Sequence, residues 1–408
     1  MGKSFGDKLR SERQQRGLTQ TQLGYGIFRP REISLLETGR REPVPGAVRM
    51  LCERLAPGST GSRGGGRAGD ETVLFLELSA RQAVDERDYG TACVLAGAGA
   101  EAALAEGDLP AWWELTYLAA CCLCTVHAYR KSIGKAFSLV GHPLALEHSA
   151  RAAQAETLLA AAHQGAGELE AAVAHARRAV AKVQGSGVGP AAFLEACEAL
   201  VAALAEADWI EEAWGYCRTL ILPLLETGVD RQTKGKALWA VGTVAFRRGD
   251  IHTGLLHHRT AGDLLQPGFD VELWARFNNA TAAMRLAAGI SDDETLACIE
   301  HAEAAMSVVG LSGPEQLELA HSQGLLLDLL GEHSRAVGML SDVYSHRDEL
   351  SPQDSGELAL HLGLALARTG RADAGSAYLA DSERSFRTAG AGDRAAHAAA
   401  LAHRIAAG

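Results

Sequence analysis

The 408-residue chain has a formal net charge of −11 and is 47% hydrophobic but only 5% aromatic. That length holds two or three domains, or one small domain followed by a repeat array. No stretch reaches the roughly 20 apolar residues that a membrane-spanning helix needs, and no apolar run near Met1 reads as a secretory signal, so a cytoplasmic protein is expected. Eight cysteines without a pairing framework fit a reducing compartment, where Cys behaves as a small core residue.

The charge is unevenly spread. Residues 1–56 hold eleven Lys or Arg against six acids, a balance of +5; residues 57–70 add +1, which leaves −17 for residues 71–408. A basic head on an acidic body points one end at phosphate.

In chain order, a first helix is expected from Ser4 to Arg16, with Phe5, Leu9 and Gln14 near one stripe and Arg13 at its edge. A short second helix opens on Thr19, a hydroxyl N-cap, and is broken by Gly26; Pro30 restarts a third that runs to Glu37 and is stopped by Gly39. In that third helix Ile33 and Leu36 can face the core while Arg31, Ser34 and Leu35 face away. Two helices joined by a tight Gly turn form the shape that lays its second helix in the DNA major groove. Thr19 and Gln20 stand at a helix N-terminus, which favours a phosphate, and Arg40 and Arg41 suit the phosphate backbone.

The pattern L-T-Q-x-x-L-x-x-G-I-x-x-x-x-x-I-S-x-L-E-x-G-R-R-x-P, Leu18 to Pro43, resembles the helix-turn-helix of Xre-type, phage-repressor-like regulators. Its short Gly-Ile turn looks more like the Rgg/PlcR branch than the phage repressors, and the chain resembles the peptide-sensing Rgg/Rap/NprR/PlcR/PrgX family, in which a tetratricopeptide-type domain follows. The resemblance implies base contacts from Arg31, to guanine, and Leu35, to a thymine methyl, with Arg29 at the helix entrance. It also implies an Arg13–Glu37 ion pair tying the first helix to the third. Arg29 and Gly24 depart from the usual Ser/Thr and Ala; the glycine costs roughly 1 kcal/mol of helix stability.

Residues 57–70 open with PGSTGSRGGGRAG, seven Gly or Pro among thirteen, and are expected to be a flexible linker spanning roughly 20 Å. From residue 71 the chain is Ala- and Leu-rich, without strand signals. Turns recur at Gly167-Glu168, Ala207-Asp208, Gly249-Asp250, Ile290-Ser291, Gly331-Glu332 and Gly370-Arg371, and extend backward to His127–Lys131 and Arg87-Asp88. A two-helix repeat of about 40 residues is an α-solenoid of about eight hairpins, and Asp393 to Ile405 reads as a capping helix. Its finer pattern resembles tetratricopeptide repeats: Ala160, Gly242, Ala282, Gly324 and Gly363 stand seven residues before the turn, Ala172, Ala336 and Gly375 five after, where paired helices interlock. Leu200 departs from that rule.

The expected fold is therefore all-α: a helix-turn-helix domain over 1–56, a linker over 57–70 and a sensing and dimerising solenoid over 71–408. The first helix of each pair would line a concave face. There lie Asn278 and Asn279, the chain's only asparagines, with Arg276 beside them, Lys236 and Trp239 in the preceding repeat, and Glu318, His321 and Asp328 in the next. An Asn amide can pair with both N–H and C=O of an extended peptide, and this set resembles the asparagine clamp of the peptide sensors. Cys121, Cys122, Cys124 and His127 lie in an apolar helix and read as core, so no metal, cofactor or catalytic residue is expected. His252, His257 and His258 are expected on the surface, and Trp112 and Trp113 between hairpins.

These readings converge on a DNA-binding transcription regulator, not an enzyme, that binds a double-stranded operator as a homodimer and senses a short peptide or other small ligand, as in quorum sensing. The rivals are a regulator whose solenoid docks a protein partner, and a Rap-like protein-interaction regulator.

Overall fold

The computed structural model describes residues 4–43, 45–55, 68–226, 228–310 and 313–406, and all regular structure among them is helical. The chain divides into two compact units, Met1–Leu158 and Leu159–Gly408.

The first unit opens with α1 (Phe5–Gln15), α2 (Gln20–Gly24), α3 (Pro30–Glu37) and α4 (Pro45–Leu55). The first three starts are set by local caps. Ser4 Oγ accepts from Asp7 N at 3.2 Å, Thr19 Oγ1 accepts from Gln22 N at 3.1 Å, and the Glu32 carboxylate accepts from Arg29 N at 2.8 Å. Gly26 and Gly39 take left-handed φ values of +75° and +67° at the two breaks. Phe5, Leu9, Leu23, Ile33, Leu36, Val48, Leu51 and Leu55 form the core. Gln14 is exposed and Glu12 is buried in its place. Nine residues from Phe5, Gln14 is turned about 180° away around the helix, whereas Glu12 at seven stays on the same face. Gly6 lets α1 cross the end of α3, for an added Cβ would sit 2.9 Å from the Glu37 carbonyl oxygen.

The head shares its core with the next helix, α5 (Ala68–Asp85), through Leu74 and Leu78. Lys8 Nζ lies 2.9 Å from Glu77 Oε2, Phe5 N donates to Asp85 at 3.1 Å, and Gln82 Nε2 donates to the Pro43 carbonyl at 2.9 Å. Residues 57–67 of the expected linker lie outside the described residues; 68–70, also assigned to it, are helical.

Hairpins follow at the interval the turns predict: α5 with α6 (Tyr89–Glu106), then α7 (Leu109–Thr125) with α8 (Tyr129–Val140) and a short α9 (Pro143–Glu147). Trp113 is fully buried beside Leu139 and Ala155, between the second and third hairpins as expected. The third pair, α10 (Ser149–Gly165) and α11 (Leu169–Val183), contains the boundary between the units.

The second unit continues with α12 (Pro190–Glu206) and α13 (Ile210–Tyr216), the latter running on as a π-helical turn, Cys217–Ile221, and a single turn α14 (Leu222–Leu224). Three further pairs are α15 (Arg231–Arg247) with α16 (Ile251–Leu264), α17 (Val271–Ala287) with α18 (Asp293–Val309), and α19 (Gly313–Leu329) with α20 (His333–Ser345). The eighth pair is α21 (Pro352–Arg368) with α22 (Ala372–Ala389), and α23 (Gly392–Ala406) ends the stack. Every hairpin turn holds one residue at positive φ; five are Gly, and the others are Arg87, His127 and Asp208.

The small residues let helices interlock. A Cβ on Gly324 would lie 2.6 Å from Leu340 Cδ2, and one on Gly375 2.6 Å from the Gly363 carbonyl oxygen. Gly242 makes the slot that takes the His258 ring. His258 is thus 1% exposed rather than on the surface, packed on Phe246 and held near neutral charge by burial, which drops its pKa to about 4. His257 is half-buried and His252 exposed. The missing side chain on the facing helix, not any polarity of its own, buries His258.

The last helix returns to the fourth hairpin. Arg394, in the first turn of α23, donates its backbone N–H and Nε to Asp208, each at 3.0 Å, and its guanidinium meets Glu206 at 3.2 Å and Glu357 at 3.3 Å. Gln353 Nε2 reaches the Gln164 carbonyl at 2.8 Å beside Gly167, which packs on Pro352.

Gly324→Ala should lower unfolding free energy by about 1–3 kcal/mol through overpacking. Gly338→Ala, in the same hairpin but with nothing within 4 Å of the added methyl, should raise it by about 0.5–1 kcal/mol. Urea unfolding of both variants reads the contrast.

Candidate functional site

Two surfaces carry the residues singled out by sequence. On the head, α3 is fixed from behind by Glu37, which is 5% exposed. Arg13 Nη2 donates to Glu37 Oε2 at 3.0 Å and Gln20 Nε2 to the same oxygen at 2.9 Å, while Arg13 Nη1 donates to the Leu18 carbonyl at 2.7 Å. The ion pair implied by resemblance is present, and Gln20 belongs to the same network.

In front of that network Arg29, Arg31 and Arg40 are exposed, with Ser34 and Leu35 half-buried between them. Arg41 pairs with Glu32 at 2.7 Å, and the Thr19 hydroxyl is engaged as the α2 cap. Arg29, Arg31 and Arg40 therefore stand as the exposed cations on this face that no side-chain ion pair holds back among the described residues.

The second surface is inside the second unit, on the first helices of successive hairpins. At one register stand Lys236 on α15, Arg276 on α17 and Glu318 on α19; one helical turn on come Glu198 on α12, Trp239, Asn279, His321 and, on α21, His361. Neighbours touch along the row. Asn279 Oδ1 accepts from Ser322 Oγ at 3.0 Å, the His321 and His361 rings meet at 2.9 Å, and Trp239 lies edge-on to Phe277 at 5.7 Å. Arg276 is held between Glu272 at 2.6 Å and Glu315 at 3.1 Å, yet its side chain stays 43% exposed.

The two asparagines have different roles. Asn278 is buried and donates to the Trp274 carbonyl one turn back at 2.8 Å, a local bond. Asn279 uses its oxygen to join α17 to α19, and its Nδ2 finds no acceptor among the described residues. Asp328 does not join the row: it is buried near the α19–α20 turn, bonded to His333 at 2.7 Å and to Arg368.

Sequence reading chose Glu318 in this interior but passed over Glu198 and Asp354. Glu198 Oε1 is shut off from water with no hydrogen-bond partner. Burial drives Glu198 to about 8, resisted by Lys236 and aided by Glu195, and drives Glu318 to about 8, aided by Asp354 and Glu315 and resisted by Arg276. Asp354 rises to about 6 by burial although Ser351 bonds it. Burial pushes both His321 and His361 down, so that pair is neutral. For Glu198 and His361 the signal was register: they stand one repeat before Trp239 and one repeat after His321.

The cysteine cluster is divided by the fold. Cys122 is core, its thiol pushed up to about 12 by burial, and His127 is the left-handed residue of the second turn. Among the described residues no group of His, Cys, Asp and Glu has the arrangement of a metal site, and no helix is long and apolar enough to cross a membrane.

No family model matches the sequence, and no curated protein matches it by sequence. In structure the chain is similar to a Rap protein complexed with Competence and Sporulation Factor, at 14% identity and TM-score 0.53 over 91% of this chain and 97% of that one. It is similar to aspartyl phosphate phosphatase F from Bacillus subtilis at 12% identity and TM-score 0.53, over 94% of each chain. PlcR from Bacillus thuringiensis, solved with the peptide PapR7 and DNA, aligns at 13% identity and TM-score 0.42 over 80% of this chain and 99% of that one. The Rap and phosphatase likenesses establish the all-α repeat fold.

Because Glu198 and Glu318 bind protons more tightly folded than unfolded, their stabilising effect is complete below about pH 4.5 and is lost as pH rises through about 8. Glu198→Gln and Glu318→Gln should therefore melt close to the parent at pH 5 and above it at pH 9. A gap that does not widen with pH would contradict the assignment.

Proposed function

We propose that this chain is a cytoplasmic, DNA-binding transcription regulator of the Xre type, whose repeat body senses a short peptide or similar small ligand and controls operator binding as a homodimer. The observation that carries the reading is α3 itself. Its inner face is clamped through Glu37 while Arg31 and Arg40 project outward from a net positive head. Clamping behind and cations in front are what a helix needs to enter the major groove in one orientation. Arg31 would read a guanine edge, Leu35 a thymine methyl; Thr19, Gln20, Arg29, Ser34, Arg40 and Arg41 would position the helix on sugar and phosphate.

A single head buries too little for tight specific binding, which supports a dimer on a two-fold site. The interior row of the second unit supports a ligand role because it offers one amide nitrogen without an acceptor, one half-exposed cation and a half-buried Trp. Lys236, Trp239, Arg276, Asn279, Glu318 and His321 would contact the ligand, with Asn278 shaping α17 from within. That a Rap protein of this fold is complexed with Competence and Sporulation Factor agrees with this role. A second reading, in which the body docks a protein, is favoured by Phe269 and Val308, 80% and 74% exposed.

Selection from random duplexes with the full chain should yield a two-fold operator. On it Arg31→Ala should cost about 1–3 kcal/mol and relax one base position, and binding should weaken steeply with salt. Asn279→Ala should keep operator affinity yet lose the response to ligand; a flat salt dependence or an unaltered footprint would refute the head assignment.

A further inference from the structure

The polar side chains of the interior row are unequally committed. On α17 and α19 Arg276 is held by Glu272 and Glu315, and His321 is bonded to His361. On α12 and α15 three are not held. Glu198 Oε1 and Gln232 Nε2 are both shut off from water without a hydrogen-bond partner, and Lys236 is exposed with no ion-pair partner among the described residues. A buried donor or acceptor left without a partner is costly, so two of them on packed helices call for an explanation.

Register brings these groups to one place. Gln232 and Lys236, four residues apart on α15, are neighbours on one face of the helix, with Trp239 next along the same strip. Glu198 stands one repeat before Trp239 on α12, which packs against α15, and Lys236 is close enough to act on its carboxyl. Donors dominate. Gln232 Nε2, Lys236 Nζ, the Trp239 indole N–H and Asn279 Nδ2 find no acceptor among the described residues. Burial raises Glu198 to about 8, so at neutral pH its carboxyl has a proton to donate as well.

We infer that the α12–α15 end of the row is a carboxylate subsite, in which Lys236 pairs with a carboxylate of the ligand while Gln232 Nε2 and Glu198 bond its oxygens. The inference rests on the small-ligand reading given above and names the chemical group that ligand must carry. A cation is the other group that an acid could take. It would stand against Lys236, a like charge, leave Gln232 Nε2 without an acceptor, and need Glu198 stripped of its proton where burial opposes the charge. A carboxylate reverses all three. The charged groups acting on Glu198 are Lys236 from α15 and Glu195 from its own helix; α11 and α13, which also pack on α12, bring none among the described residues. Glu195 is exposed, so water and salt screen its repulsion of a bound carboxylate.

The test offers the full chain two pools of N-acetylated random heptapeptides, free acids and C-terminal amides, and identifies retained members by mass spectrometry. Free acids retained while their amide twins are lost place a C-terminal carboxylate in the subsite; retained amides that share an Asp or Glu place a side-chain carboxylate there. Either result supports the inference. Peptides retained with no carboxylate in common overturn it and leave the small-ligand reading standing, whereas nothing retained from either pool overturns both. For the tightest peptide, calorimetry should show affinity falling about tenfold from pH 7 to pH 9, because only protonated Glu198 can donate. Glu198→Gln should flatten that profile. Lys236→Met should weaken binding about tenfold at pH 7, with Lys236→Arg recovering most of the loss. Should the Glu198 variant fail to fold, exposed Lys236 still decides. Affinity that rises with pH, or Lys236→Met without effect, overturns the carboxylate subsite.

Discussion

At the start of α23 one guanidinium reaches carboxylates on α12 and α21 and in the turn after α12, and the chain's N–H beside it is bound by one of them. Hairpins alone contact only their neighbours, so a stack of them has no reason to close. Arg394 supplies the long-range term, joining residues 186 apart. It also explains an irregularity of the turns. Asp208 holds a left-handed φ of +63° where most turns use Gly. That conformation disfavours a side chain, but Gly there would leave both the Arg394 guanidinium and an orphan N–H at the head of α23 without their acceptor.

The electrostatics of the interior are set by burial. Burial is the largest cause of shift for Glu198, Glu318, Asp354, His321 and His361 alike. Acids move up and imidazoles move down, each toward its neutral form. The two carboxylates of the row, Glu198 and Glu318, are thus less charged at neutral pH than the sequence indicates. A ligand bringing a cation to the row would draw Glu198 or Glu318 back into the charged state with release of a proton.

The repeat was legible because it is dictated by local chemistry: a turn residue about every 40 positions and a small residue where helices must interlock, so all eight turns could be placed before any coordinates. The head was legible for the same reason, since Thr19, Gly26, Pro30 and Gly39 each act on their own few residues. What escaped was whatever depends on distant partners. Nothing near His258 announces that Gly242 opens a slot for it, nothing near Asp208 announces Arg394, and Asn278 and Asn279, adjacent in sequence, point to different neighbours because one step around a helix is about 100°. Gly24, read as a cost to helix stability, proves to be a point of approach: a Cβ there would lie 3.1 Å from Ile33 Cγ1.

The contact of the head with α5 limits how a signal can act. Swinging the head away would return Leu74 and Leu78, 7% and 0% exposed, to water and strand Glu77 from Lys8. At roughly 1.5–3 kcal/mol for each leucine, that motion costs about as much as the 5.5 kcal/mol of differential binding that turns a 1:99 population into 99:1. A ligand would have to spend its whole preference on freeing the head. Moving two heads as rigid parts of two first units, by changing how those units pair, leaves both leucines buried and demands far less.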